Sequence, residues 1–186
     1  MAAVGCYYEL MLTVSEGYQC GIRTTADDVV CTARRLWGLS EALRERWNEL
    51  TEKTYLARVE GELAEERGVF ESYLLEDADG YKVRSVQPSS VSRLKSKVLR
   101  QPKIARTEWR KLSVEDGTTL VEVTLKSGRK NQIRVHFSEA GHPVVGDVKY
   151  GGQKASRLYL HSEKLKFKHP HTGRWMSFES VPSTKH

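Results

Sequence analysis

From Val121 to Leu125 apolar and polar residues alternate, so that Val121, Val123 and Leu125 face one way and Glu122 and Thr124 the other. A period of two belongs to a strand with one buried face, and it commits the chain to a sheet with something packed on one side of it. Residues 54–60 (TYLARVE) alternate in the same way, and Gly61 ends the run. Residues 105–112 pair with 119–125 as a hairpin around Glu115-Asp116-Gly117. Two more strands, 69–75 and 81–87, flank the turn signal Asp77-Ala78-Asp79-Gly80. Further strands are expected at 7–14, 29–33, 157–161 and 176–179.

Helical spacing is confined to two places. Leu39, Ala42, Leu43 and Trp47 recur at the period of a helix over 39–50. Residues 131–140 form a second, shorter helix with Ile133, Phe137 and Ala140 on one stripe, and Gly141 is suited to the left-handed position that ends it. Thr24, Thr25, Asp27 and Asp28 carry side-chain oxygens of the capping kind. The pattern predicts an α+β fold, mixed but mainly antiparallel, in one domain over 1–186. Residues 88–102, rich in Ser and Lys, read as an exposed basic loop.

The formal charge is +6, and it is unevenly spread. Ten Lys and Arg residues lie between Tyr81 and Leu112 against one acid in that interval, Glu108. Such clustering points to a polyanion partner, since Lys and Arg neutralise phosphates and release their counterions. The stretch 126–137, KSGRKNQIRVHF, adds a glycine-led turn, a helix start and several forked donors, the ingredients of a phosphate cradle. Within it Arg134 stands between Ile133 and Val135; an inward arginine keeps its charge and needs an acidic or hydrogen-bonding partner.

Other chemistries are poorly served. His136, His142, His161, His169 and His171 have no metal-ligand spacing and no accompanying cysteine, so no metal is expected. No Gly-x-Ser-x-Gly elbow is present for nucleophilic hydrolysis. The three cysteines, Cys6, Cys20 and Cys31, are odd in number and include no Cys-x-x-Cys. No apolar run reaches the roughly 18 residues of a membrane span, and the first residues lack a basic leader, so a cytoplasmic or organelle-matrix setting, neither secreted nor membrane-bound, is expected.

Several ordered pieces then resemble one family, the RluA class of RNA pseudouridine synthases. They are EKTYLARVEG at 52–61, LKSGRKNQIRVH at 125–136, GHPVVGD at 141–147 with Tyr150-Gly151, RLYLH at 157–161, and HPHTG at 169–173 with Phe178. The resemblance spans about residues 40–182, with Asn131 where the family usually has His. It implies a largely antiparallel sheet with flanking helices and a central cleft that receives a uridine flipped out of its stack, because the glycosidic bond is out of reach inside one. It implies no cofactor. It also gives Tyr55 a role in stacking on the base and in proton transfer, and pairs Arg134 with a nucleophilic aspartate.

That aspartate is where the sequence departs. With the family's following strand set on 29–33, its His-Arg-Leu-Asp signature falls on residues 20–28, and the nucleophile position is Arg23. Asp27 and Asp28 are the nearby candidate acids. The segment before this point is shorter than in the family, so an N-terminally shortened domain is expected. Two readings follow: a synthase acting on structured RNA, ribosomal or transfer, with Tyr55, Arg134 and Asp27 or Asp28 as catalytic residues; or a degenerate synthase that only holds RNA, as in a ribosome-assembly complex. In both, the expected RNA-binding residues are Arg23, Arg129, Lys130, Asn131, Gln132, His136, Lys95, Lys97 and Arg100.

Overall fold

A computed structural model describes residues 50–77, 80–87, 89–90, 101–168 and 174–180. The elements in chain order are β1 (Thr51–Glu60), β2 (Arg67–Glu76), β3 (Val83–Val86), β4 (Lys103–Glu115), β5 (Thr118–Leu125), α1 (Gln132–Glu139), a 3-10 turn (Val148–Tyr150), β6 (Leu160–Lys168) and β7 (Trp175–Glu179). The strands expected at 7–14 and 29–33, residues 39–49 of the expected helix, and most of the 88–102 loop lie outside the described residues. So does much of the span over which a single domain was expected; the described residues all belong to one compact unit, Trp47–His186.

The seven strands form one sheet in the order β3-β2-β4-β5-β1-β6-β7, and every pairing between them is antiparallel. Alternation determines which face is covered. On β5 Thr119, Val121, Val123 and Leu125 are buried and the residues between them are not. The register sets Val121 against Ala57 and Val123 against Tyr55 on β1, while on β4 Ala105, Thr107 and Trp109 turn to the same side. The β4–β5 hairpin closes through Asp116 and Gly117, with φ of 51° and 67°, the signs that a two-residue type I′ turn requires.

Helix α1 lies across this covered face. Ile133 and Phe137 enter the main core with Ala57, Val59, Trp109, Val121, Val123 and Val144, and Val135 enters a second cluster with Leu74, Val83 and Ala105. Ala140, expected on the apolar stripe, is exposed, because the helix has already stopped there. Gly141 ends it with φ 84°; its N–H bonds Ser138 O at 3.0 Å and that of His142 bonds Phe137 O at 2.9 Å. Those two bonds define a Schellman cap.

Two expectations change. β6 runs over Leu160–Lys168 and not 157–161, because Leu165 and Phe167 alternate inward between lysines that read as polar sequence. The basic run is also less free than its local sequence suggests. Arg106 meets the run's own Glu108 at 3.3 Å, and the fold brings acids from elsewhere beside it: Arg106 meets Glu71 at 3.2 Å, Arg110 meets Glu122 at 3.1 Å, and Lys111 meets Glu66 at 2.8 Å. These pairs lie at the surface and add little stability, but they take charge out of the footprint offered to a polyanion.

Candidate functional site

The first turn of α1 is built by an unusual residue. Asn131 is the N-cap with φ 53° and ψ 20°, a left-handed backbone that asparagine tolerates, and its side chain makes no cap bond. It braces its neighbours: Oδ1 accepts from Arg134 Nη1 at 3.2 Å, and Nδ2 donates to the Tyr150 hydroxyl at 3.1 Å.

Arg134 is the centre of the site. Its Nε donates to Asp147 Oδ2 and its Nη2 to Asp147 Oδ1, both at 2.6 Å, a bidentate fork. The aspartate side chain is 1% exposed and the arginine 20%. The Tyr150 ring lies 4.8 Å from the guanidinium carbon. The Asp147 hydrogen bonds hold the Arg134 pKa above its ordinary value, against the opposing effect of burial. Asp147 is itself aimed by Gly146, whose φ is 83° and where a Cβ would meet the Arg157 carbonyl oxygen at 1.9 Å. Only glycine fits there. With three donors committed, the remaining guanidinium N–H groups are what the site offers to an anion.

Gln132 and His136 were expected to touch RNA, and the structure turns both inward. Gln132 is 2% exposed. Its Oε1 accepts from Ser127 Oγ at 2.9 Å and from the Arg129 backbone at 3.0 Å; its Nε2 donates to Arg106 O at 3.0 Å and Thr107 Oγ1 at 2.9 Å. The two backbone partners fix the amide's orientation. The residue thus staples the start of α1 to β4. His136, 3% exposed, sits between Thr107 Oγ1 at 2.8 Å and Ser72 Oγ at 3.0 Å.

Burial lowers the His136 pKa from 6.5, outweighing the nearby Glu139 charge. Its folded state therefore resists protonation while the unfolded chain accepts it. This contribution to stability is present above pH 6.5 and is lost as pH falls below it. The expected result is a melting temperature that drops on acidification from pH 6.5 to 5, with a slope that is smaller in His136→Gln. An equal slope in that variant would assign the effect to other groups.

Arg129 and Lys130 stand at the rim. Arg129 Nε donates to Ile104 O at 3.1 Å, and Lys130 Nζ donates to Gly80 O at 2.6 Å with 48% of its side chain exposed. Tyr55 is on β1, where a bulge shifts the pairing with β6 between Thr54 and Tyr55; bulges re-aim side chains and are common beside active sites. It packs, partly buried, on the cluster that holds Ile133 of α1, so Tyr55 and the arginine-bearing helix stand on one face of the sheet. Arg23, Asp27, Asp28, Lys95, Lys97 and Arg100 lie outside the described residues. Asp147 escaped the residue-level reading because Arg134 already had a partner assigned to it, although Gly146-Asp147 followed by Tyr150-Gly151 was the signal.

Comparison with known proteins identifies the family. The sequence profile of the RNA pseudouridylate synthase family matches residues 36–139. The chain is 31% identical over 172 residues to the uncharacterized RNA pseudouridine synthase YjbO of Bacillus subtilis, covering 86% of this chain and 56% of that protein. It is 37% identical over 133 residues to the dual-specificity RNA pseudouridine synthase RluA of Yersinia pestis, covering 68% and 59%. The chain thus spans less than two thirds of the length of these relatives. Among solved structures, human RNA pseudouridylate synthase domain containing 1 superposes with a TM-score of 0.58 at 24% identity, over 77% of this chain and 61% of that one; this likeness is one of fold. No helix among the described residues is long and apolar enough to cross a membrane.

Proposed function

The chain belongs to the RluA class of RNA pseudouridine synthases, and on that premise we propose that it binds structured RNA, ribosomal or transfer, inside the cell and isomerises one uridine to pseudouridine. The observation that carries this reading is Arg134: a partly exposed cation, fixed in direction by a buried aspartate, on the same sheet face as Tyr55. Preorganised charge of this kind acts on the charges of a reacting nucleotide without the cost of reorientation.

In this reading the uridine leaves its stack and lies against Tyr55. Asp27 or Asp28 attacks the nucleotide and the C1′–N1 bond breaks. The uracil turns, C5 bonds to C1′ as the bond to the carboxylate breaks and frees it, the C5 proton passes to solvent and N1 takes up a proton. Arg134 holds a phosphate beside the uridine with its uncommitted N–H groups. Arg23, Arg129, Lys130 and Asn131, with Lys95, Lys97 and Arg100 of the 88–102 segment, grip the backbone. No cofactor enters the scheme. Replacing Asp27 and Asp28 together by Asn is expected to abolish isomerisation and leave RNA affinity within a few fold. Full activity in that double variant removes both as nucleophile.

A second reading is favoured by two features. Asp147 already neutralises Arg134, so this cation is stable without a catalytic carboxylate, and the family's nucleophile position is taken by Arg23. The chain then acts as an RNA grip, as in ribosome assembly. Salt-sensitive RNA binding with no isomerisation distinguishes it.

A further inference from the structure

One group outside the pair at Arg134 has chemistry that neither reading uses. Tyr81, in the turn between β2 and β3, is 62% exposed. Lys149 Nζ lies 3.8 Å from its ring centroid and 5.8 Å from that of Tyr150, and Arg134 stands over the other aromatic at 4.8 Å. Tyr81, Lys149, Tyr150 and Arg134 therefore form a row of alternating rings and cations that runs from the surface to the candidate site. Two lysines tether the turn that bears the outermost ring: Lys130 Nζ donates to Gly80 O at 2.6 Å and Lys149 Nζ donates to Tyr81 O. Carbonyl contacts alone are enough to pin a turn.

We propose that Tyr81 is a stacking platform for an unpaired RNA base next to the uridine at Arg134, with Lys149 and Lys130 placed for the phosphates on either side of it. Three features fit an unpaired strand. Base-on-aromatic stacking needs an exposed ring and tolerates any base. A cation beside the ring adds attraction for the backbone that carries the base. The row leads to a half-buried arginine, and a duplex with its bases stacked inside cannot follow it. Two acids stand at this edge: Asp77, 4.0 Å from Arg84, and Glu76, 3.9 Å from Lys130, which leaves Lys149 as the stronger phosphate contact of the two lysines.

The proposal rests on the RNA-binding reading, and one experiment separates the two. Affinity of the full chain for a stem-loop RNA with an unpaired loop is measured by fluorescence anisotropy across a salt series, for the natural sequence, Tyr81→Ala, Tyr81→Phe and Lys149→Gln. Tyr81→Ala is expected to weaken binding about five- to hundredfold with no change in salt slope. Tyr81→Phe stays within about twofold, since stacking survives the loss of the hydroxyl. Lys149→Gln lowers the salt slope by about one. Equal binding by Tyr81→Ala and the natural chain overturns the platform while RNA binding stands. Absence of salt-dependent binding by the natural chain overturns both. An unchanged melting temperature in Tyr81→Ala confirms that the exposed ring was not holding the fold.

Discussion

Arg134→Ala is expected to destabilise the protein by about 3–5 kcal/mol, because it strands a buried carboxylate without its partner. Asp147→Ala is expected to cost less. The remaining arginine is 20% exposed, whereas the aspartate is 1% exposed, and a long side chain can carry its charge out to water as a carboxylate on a short stem cannot. The double variant Arg134→Met with Asp147→Leu removes both charges and recovers much of the loss, since a buried ion pair gains little over well-packed apolar groups. Urea denaturation compares the four proteins. A double variant less stable than Arg134→Ala would mean that the stranded carboxylate is not the source of the loss.

Phe137→Ala carries the second large effect, again about 3–5 kcal/mol, from lost burial together with the cavity left behind. Phe137 has no exposed surface. It meets Phe70 edge-on at 5.1 Å and Trp109 at 6.1 Å, the contacts that hold α1 to the sheet. Phe137→Leu keeps most of the volume and is expected to cost no more than about 1.5 kcal/mol. Arg134 rides on the same helix, so the alanine variant should also lose the proposed isomerisation at temperatures where it is still folded. A loss below about 1 kcal/mol for Phe137→Ala would place the helix elsewhere than over the core.

The elements that could be read in the sequence are those set by local rules. Alternation marks β1 and β5, Asp116-Gly117 marks the hairpin between β4 and β5, and Gly141 marks the end of α1. Each needs only a few neighbouring residues and one steric fact. What could not be read depends on residues far apart in the chain. Gln132 and His136 look like surface donors in a basic stretch, and only the packing of α1 on β4 turns them inward to Thr107. The partner of Arg134 lies thirteen residues on, reached only after the chain turns back through Gly141 and Gly146. The lysines of β6 hid a strand because its buried Leu165 and Phe167 are only every second residue. The basic run overstated the free charge because its acids come from other strands.

The family resemblance supplied what local rules could not, the expectation that Tyr55 and Arg134 serve one site; the structure sets Tyr55 and the helix that bears Arg134 on one face of the sheet. The structure adds the reason that arginine is held in place: a buried aspartate behind it, and a glycine that leaves room for the aspartate's loop. An arginine fixed in this way serves an RNA phosphate and a catalytic carboxylate equally well, so chemistry, not geometry, separates the two readings.

The direct test is release of tritium to solvent from a structured RNA labelled at C5 of uridine, incubated with the purified chain. The account predicts release that depends on Tyr55 and Arg134 and that vanishes when Asp27 and Asp28 are both replaced by Asn. RNA bound at low salt with no tritium released would contradict isomerisation by this chain and leave it as a grip on RNA.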